Sequence, residues 1–125
     1  MILAALGIGC GKNNGDGQVS IQKKWSLVSD STYNGVGIVY QQSGHVGMPA
    51  DYWDFRKDGH VYVKEGTSLD TMTYTLNSAT SITISKFGWG GTSTIKTLTA
   101  HEAVIKSNEV IPPGGPNYRV LHLRR

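Results

Sequence analysis

From Val19 onward, apolar and polar residues alternate along most of this chain, and this pattern limits its fold more than any other feature. A repeat of two residues places every second side chain on the same face of an extended strand. Turn-forming residues interrupt the pattern about every 8–12 residues, a spacing typical of all-β sandwiches and barrels. No window has the period of a long amphipathic helix. The sequence therefore predicts an all-β domain.

The clearest pair of strands flanks Lys57-Asp58-Gly59. The preceding strand, 51–56, places Trp53 and Phe55 on one face, and the following strand, 60–65, places two valines on one face. Asp-Gly favours a tight hairpin turn, because both central residues of the two-residue primed turn need a positive φ. We therefore predict a hairpin here with that type of turn.

Six further strands are predicted from the same alternation. Together with the hairpin they make eight, at residues 24–29, 51–56, 60–65, 71–76, 81–85, 92–99, 101–107 and 118–123. Short connections suit antiparallel neighbours, and eight such strands either close into an up-and-down barrel or pack as two sheets. Residues 111–116 contain three prolines and are predicted to form a loop.

The longest predicted connection is residues 31–50, which contain Tyr33, Tyr40, His45 and Met48 and no sustained alternation. Structureless segments of this length are uncommon in compact domains and tend to be lids or binding loops. We therefore expect a loop that folds over the open end of a barrel, with a short hairpin arm around residues 38–40. The alternative is an insertion without a binding role.

The one cysteine, Cys10, follows an uncharged apolar or small-residue segment and precedes a polar stretch rich in Gly and Asn. This arrangement resembles the lipobox of bacterial lipoproteins, in which the cysteine thiol receives a lipid and the preceding peptide is removed. It predicts a signal peptide at 1–9, truncated at its start, a flexible tether at 10–22 and the barrel domain at 23–125. The alternative is a buried first strand with a core cysteine.

Several short motifs are similar to those of the bacterial lipocalin-like domain family, which consists of small β-barrel lipoproteins. These motifs are Lys24-Trp25-Ser26-Leu27, Tyr52 to Gly59, Tyr74-Thr75-Leu76, Ile82, Ile84, Ile95, Leu98-Thr99 and Glu102 to Ile105. The resemblance implies an eight-stranded antiparallel up-and-down lipocalin-like barrel. It also implies a lipid anchor in the bacterial cell envelope, at the outer membrane. Classical lipocalins also close one barrel end with a first-strand tryptophan and a late arginine; here these would be Trp25 and either Arg119 or Arg124.

An eight-stranded barrel is either filled by its own side chains or able to hold one small ligand. The candidate ligand-binding residues are Trp53, Phe55, Tyr62, Met72, Tyr74 and Tyr40. Aromatic and Met side chains would supply contact area, and tyrosine hydroxyls would orient the ligand. The predicted function is therefore binding of a small hydrophobic or amphipathic ligand inside the barrel. A filled barrel that acts as a structural or protein-interaction module is the alternative.

Other function classes receive little support. The net charge of +3 is spread along the chain, so no nucleic-acid partner is expected. The four histidines do not have metal-ligand spacing, and no serine occupies a nucleophile elbow, so we expect neither a metal nor catalysis. Gly7 to Lys12 lacks the following helix that a phosphate-binding loop needs. We expect no cofactor and a monomeric protein.

Overall fold

The computed structural model describes residues 19–36, 39–88, 91–110 and 117–125, and for residues 35–36 and 39–43 it describes the backbone only. The described residues form antiparallel strands, and none of their segments is a helix long and apolar enough to cross a membrane. The strands are β1 (Lys24–Val36), β2 (Val39–Val46), β3 (Tyr52–Phe55), β4 (His60–Glu65), β5 (Ser68–Ser78), β6 (Ser81–Ile84), β7 (Thr92–Leu98), β8 (Glu102–Lys106) and β9 (Asn117–Arg124).

Eight of these strands close into an antiparallel up-and-down barrel. Strands β3 to β8 each pair with the next one in the chain, while β1 pairs with β3 on one edge and with β9 on the other. Closure satisfies the backbone groups that an open sheet would leave at its two edges. The predicted eight-stranded barrel is confirmed, and the predicted strands correspond to β1 and β3–β9.

The barrel interior is filled by large apolar side chains. The most completely buried are Trp25, Trp53, Phe55, Phe87, Ile21, Ile82, Ile84, Ile105, Leu121, Leu123 and Val61. Phe55 meets Tyr74 edge to face, with ring centroids 5.3 Å apart, a geometry that aromatic pairs prefer. The middle of the barrel is therefore packed with side chains.

The segment before β1 covers one end of the barrel, here called the closed end. Ile21 is only 1% exposed, and its carbonyl oxygen accepts a hydrogen bond of 2.9 Å from Trp25 Nε1. Gln22 Nε2 donates to the Tyr74 hydroxyl at 3.1 Å, and that hydroxyl donates to the Arg56 carbonyl. Ile21 and Gln22 therefore belong to the barrel, and the predicted tether at 10–22 extends too far along the chain.

The hairpin between β3 and β4 is confirmed, with Trp53 opposite Val63 and Phe55 opposite Val61. Its turn differs from the predicted one. Four residues separate the strands, and of these only Gly59 has a positive φ, at 85°. Asp58 remains at negative φ because its carboxylate accepts the His60 backbone N–H at 2.9 Å instead.

The prediction of a long loop at 31–50 is wrong for most of its length. β1 continues to Val36, and β2 pairs with it from Ser29 opposite Val46 to Val36 opposite Val39. On its other edge this part of β1 pairs with β9 as far as Asn34 opposite Asn117. The segment lacks apolar alternation because it extends beyond the barrel core, where a strand has no apolar face to bury.

A close backbone approach directs the chain from β2 into β3. The Gly47 N–H donates to the Val28 carbonyl at 2.8 Å. A Cβ atom on Gly47 would lie 1.8 Å from the Leu27 carbonyl oxygen, so a larger residue cannot occupy this position without moving the backbone.

A β-bulge in β1 reverses which side chains point inward. Leu27 lies opposite Leu123, whereas Ser29 lies opposite His122 and Asp30 opposite Leu121, so one residue is extra on the β1 side. Asp30 is consequently turned toward the interior and is 5% exposed. Simple alternation from Trp25 and Leu27 would have directed Asp30 to solvent.

Candidate functional site

A cavity of about 160 Å³, here called the mouth cavity, lies at the barrel end where β4 finishes. Its lining comes from β3, β4, β5, β9 and the segment after β6, and consists of Trp53, Val63, Glu65, Ser68, Asp70, Met72, Lys86 and Arg119. Three of these residues are apolar, and the other five are polar or charged. The cavity therefore offers apolar contact beside charged groups, which suits an amphipathic molecule.

A partly buried network of one arginine and two carboxyl groups lies at one side of the cavity, where Glu65 and Arg119 line it. Arg119 donates from Nε to Asp30 Oδ1 at 2.6 Å and from Nη2 to Asp30 Oδ2, which makes a bidentate ion pair. The guanidinium also lies over the Phe87 ring, 4.6 Å from its centroid. Glu65 accepts a hydrogen bond of 2.9 Å from Trp53 Nε1 and interacts directly with Asp30.

The pKa values of the two carboxyl groups are shifted in opposite directions. Burial raises the pKa of Asp30, but hydrogen bonds from Arg119 and Glu65 outweigh it, and the pKa lies below its usual value. Burial and the hydrogen bond to Asp30 raise the pKa of Glu65 to about 7. Between the two pKa values the pair therefore holds one proton, on Glu65, because two adjacent carboxylates beside one cation resist full ionisation.

A second ion pair lies at the rim of the mouth cavity. Lys86 Nζ donates to Asp70 Oδ1 at 2.8 Å, and both side chains are about half exposed. The pair lowers the pKa of Asp70. Lys86 reaches this position from the turn after β6, where its own backbone takes a positive φ of 61°.

A buried aspartate ties β2 to the turn between β4 and β5, next to Glu65. Asp51 accepts hydrogen bonds from His45 Nε2 at 2.6 Å, the Met48 N–H at 3.0 Å and the Gly66 N–H at 2.9 Å. The bond with His45, followed by those from the backbone, lowers the pKa of Asp51 to about 2, while Asp51 raises the pKa of His45. This cluster fixes the wall of the barrel beside the cavity.

Four of the predicted ligand residues point into the barrel, but the structure brings only two of them to the cavity. Trp53 and Met72 line it. Phe55 and Tyr74 lie deeper, in the packed core and at the closed end. The sequence left open whether these side chains line a cavity or fill the interior, and the structure assigns one pair to each role.

The prediction that Tyr62 faces an interior ligand is wrong. Tyr62 alternates with Val61 and Val63 and therefore lies on the outer face of β4. The Arg56 guanidinium lies 4.1 Å from its ring centroid, and its hydroxyl donates to Asp58 at 3.2 Å. Strand alternation places Tyr62 outside for the same reason that it places its two neighbours inside.

Of two other predicted site residues, the structure describes only the backbone of Tyr40 and does not describe Cys10. Tyr40 lies in β2 with its backbone opposite Gly35, and its side chain lies outside the described residues. The predicted lipid-attachment residue Cys10 and the preceding peptide also lie outside them, as does the predicted loop at 111–116.

The two residues predicted as a structural plug do not stack on each other. Trp25 is fully buried beneath Ile21, with the Lys23 ammonium 5.9 Å from its ring centroid. Arg119 instead lies against Phe87 and Trp53. The register explains the difference, because Arg119 lies opposite Thr32, seven residues along β1 from Trp25.

The sequence analysis missed the acidic half of the site. Glu65 continues the inward series of Val61 and Val63, and Asp70 precedes Met72 by two residues, so extended alternation would have placed both on the inner face. Alternation did not indicate that Asp30 faces inward, because the bulge that turns it cannot be recognised from the apolar pattern.

Comparisons with protein-family models, with curated proteins and with solved structures find no match to this chain. Within the described ranges, no three His, Cys, Asp or Glu side chains form a group that could hold a metal ion. The residues of the mouth cavity can make two kinds of contact. Trp53 and Met72 offer apolar contact on one side, and Glu65, with its raised pKa, lies near the Arg119–Asp30 ion pair on the other.

Proposed function

We propose that this protein binds a small amphipathic ligand in the mouth cavity. The cavity itself carries the proposal, because Trp53, Val63 and Met72 offer apolar contact directly beside Glu65 and Arg119. An engineered cavity of about 150 Å³ in another protein holds one benzene molecule, so the ligand, or the part of it that enters, contains about ten non-hydrogen atoms at most. Deeper in the barrel the described core residues are packed against each other, so the ligand stays at the mouth.

Thermal unfolding of the purified chain with a panel of small aromatic compounds tests this proposal. Compounds of about 7–10 non-hydrogen atoms with one polar group are expected to raise the Tm, with Kd values of about 10 μM to 1 mM. Met72→Trp fills the cavity and is expected to abolish the shift. Overpacking costs about 1–3 kcal/mol, so circular dichroism must first show that the variant folds.

Leu76→Trp is the matched control, because Leu76 lies on the same strand as Met72 but is 41% exposed and does not line the cavity. It is expected to leave the shifts unchanged. If neither wild type nor control responds to any compound, the ligand proposal fails. The filled core then favours the alternative function, a barrel that acts as a structural or protein-interaction module of the cell envelope.

We further propose that the barrel is a lipid-anchored protein of the bacterial cell envelope, attached through Cys10 to the outer membrane. The apolar segment ending at Cys10 and the lipocalin-like motifs support this placement. In a bacterial host, the wild-type protein is expected in the membrane fraction and Cys10→Ala in the soluble fraction. A Cys10→Ala protein that stays with the membrane would contradict the anchor.

A further inference from the structure

We propose that the ligand of the mouth cavity is a small organic cation, bound through its charged nitrogen to the Glu65 carboxylate. This inference rests on the proposed function and specifies its ligand. It is carried by the position of Glu65 in the cavity wall, by the partners of the neighbouring charged groups and by the size of the cavity.

The cations that line the cavity already have anionic partners. Arg119 uses two donors for its bidentate pair with Asp30, and Lys86 is paired with Asp70. An anionic ligand would have to compete with these carboxylates. Among the described residues no cation forms an ion pair with Glu65; Arg119 attracts it without a hydrogen bond, and its side-chain donor is the neutral indole of Trp53.

The charge balance points in the same direction. When Glu65 is ionised, the network and the rim hold three carboxylates, on Asp30, Glu65 and Asp70, against the two cations Arg119 and Lys86. One negative charge remains without a partner in a partly buried site. A buried charge is stabilised when it is paired and hydrogen-bonded, so a monovalent cation that donates to Glu65 completes the network.

The rest of the cavity suits the body of such a ligand. Trp53 and Met72 can contact a flat or short apolar group, and aromatic rings also attract cations. Benzylamine is a suitable probe, because it has eight non-hydrogen atoms and is protonated near neutral pH. Benzyl alcohol and benzoate have nearly the same shape and differ in charge.

Cation binding must release the proton that Glu65 holds. The proton passes from the Glu65 carboxyl group to the buffer as the ligand nitrogen takes its place, and no other bond changes. Glu65 is surrounded by charged or hydrogen-bonding groups from every neighbouring element: Asp30 on β1, His45 on β2, Trp53 on β3, Asp70 on β5, Lys86 after β6 and Arg119 on β9.

Isothermal titration calorimetry of the three probes at pH 6 and pH 8, in two buffers of different ionisation enthalpy, tests the inference. Benzylamine is expected to bind at least about tenfold more tightly than benzyl alcohol at pH 8. Its affinity is expected to fall toward about tenfold per pH unit below the pKa of Glu65, with release of up to one proton. Benzoate is expected to bind most weakly.

Glu65→Gln keeps the shape of the protonated acid and is expected to bind benzylamine at least about tenfold more weakly at pH 8 and to release no proton at pH 6. Glu102→Gln, on a strand that does not line the cavity, should bind as wild type does. His45→Gln should retain the proton release, which separates Glu65 from the histidine that titrates nearby. If benzyl alcohol or benzoate binds more tightly than benzylamine, the proposal of a cationic ligand is wrong but the proposed function stands. If none of the probes binds, both proposals are wrong.

Discussion

Arg119→Ala is expected to destabilise the barrel by about 3–5 kcal/mol at pH 7, because it removes one partner of a largely buried ion pair. Asp30 is 5% exposed and depends on this guanidinium for charge compensation, and Glu65 lies beside it. The variant also loses the stacking of Arg119 on Phe87. The barrel would then contain two neighbouring carboxyl groups with no cation between them.

Urea denaturation followed by tryptophan fluorescence measures this change. Arg124→Ala is the control, since Arg124 lies on the same strand with an exposed side chain, and we expect a change of about 0.5 kcal/mol or less. At acidic pH the difference in free energy of unfolding between Arg119→Ala and wild type should become smaller, because protonated Asp30 no longer needs a cation. A loss below about 1 kcal/mol at pH 7 would show that the network does not stabilise the fold.

Trp25→Ala is expected to cost about 3–5 kcal/mol, the usual range for removing a fully buried tryptophan side chain. Trp25 has no exposed surface, and its indole N–H is the donor to the Ile21 carbonyl. The substitution leaves a void under the segment that covers the closed end and removes that hydrogen bond. We expect the segment around Ile21 to detach before the barrel unfolds.

Trp25→Phe separates the two contributions, because it removes the N–H donor while keeping most of the apolar contact. Its expected cost is about 1–2 kcal/mol. Limited proteolysis with identification of the first cleavage site distinguishes local detachment from global unfolding. If Trp25→Ala unfolds at the same denaturant concentration as wild type, Trp25 does not support the closed end.

The core of the barrel was largely predictable, because its strands bury one face only. Trp53 and Phe55, for example, alternate with polar neighbours and were assigned to one face that the structure places inside. β2 was not predictable in this way. Its sequence has no apolar alternation, and its ladder with β1 is formed by backbone groups that every sequence possesses.

The mouth cavity was predictable only in part. Trp53 and Met72 were identified because aromatic and Met side chains on an inner face are recognisable candidates for ligand contact. Asp30 and Glu65 were not, since their importance lies in being adjacent, and they are 35 positions apart on strands that do not pair with each other. Tyr62 was assigned by residue type against its own strand alternation, which correctly indicated the outer face.

Alternation and turn spacing by themselves determined that this chain is an all-β domain and which side chains of most strands face inward, because a strand buries every second residue. They left open whether the strands close into a barrel or pack as two sheets. The site was decided by the tertiary structure. Closure of β9 onto β1 brings Arg119 to Asp30, the bulge turns that aspartate inward, and burial then raises the pKa of Glu65 beside it. Charge compensation depends on distances between side chains from separate strands, and those distances exist only once the barrel has closed.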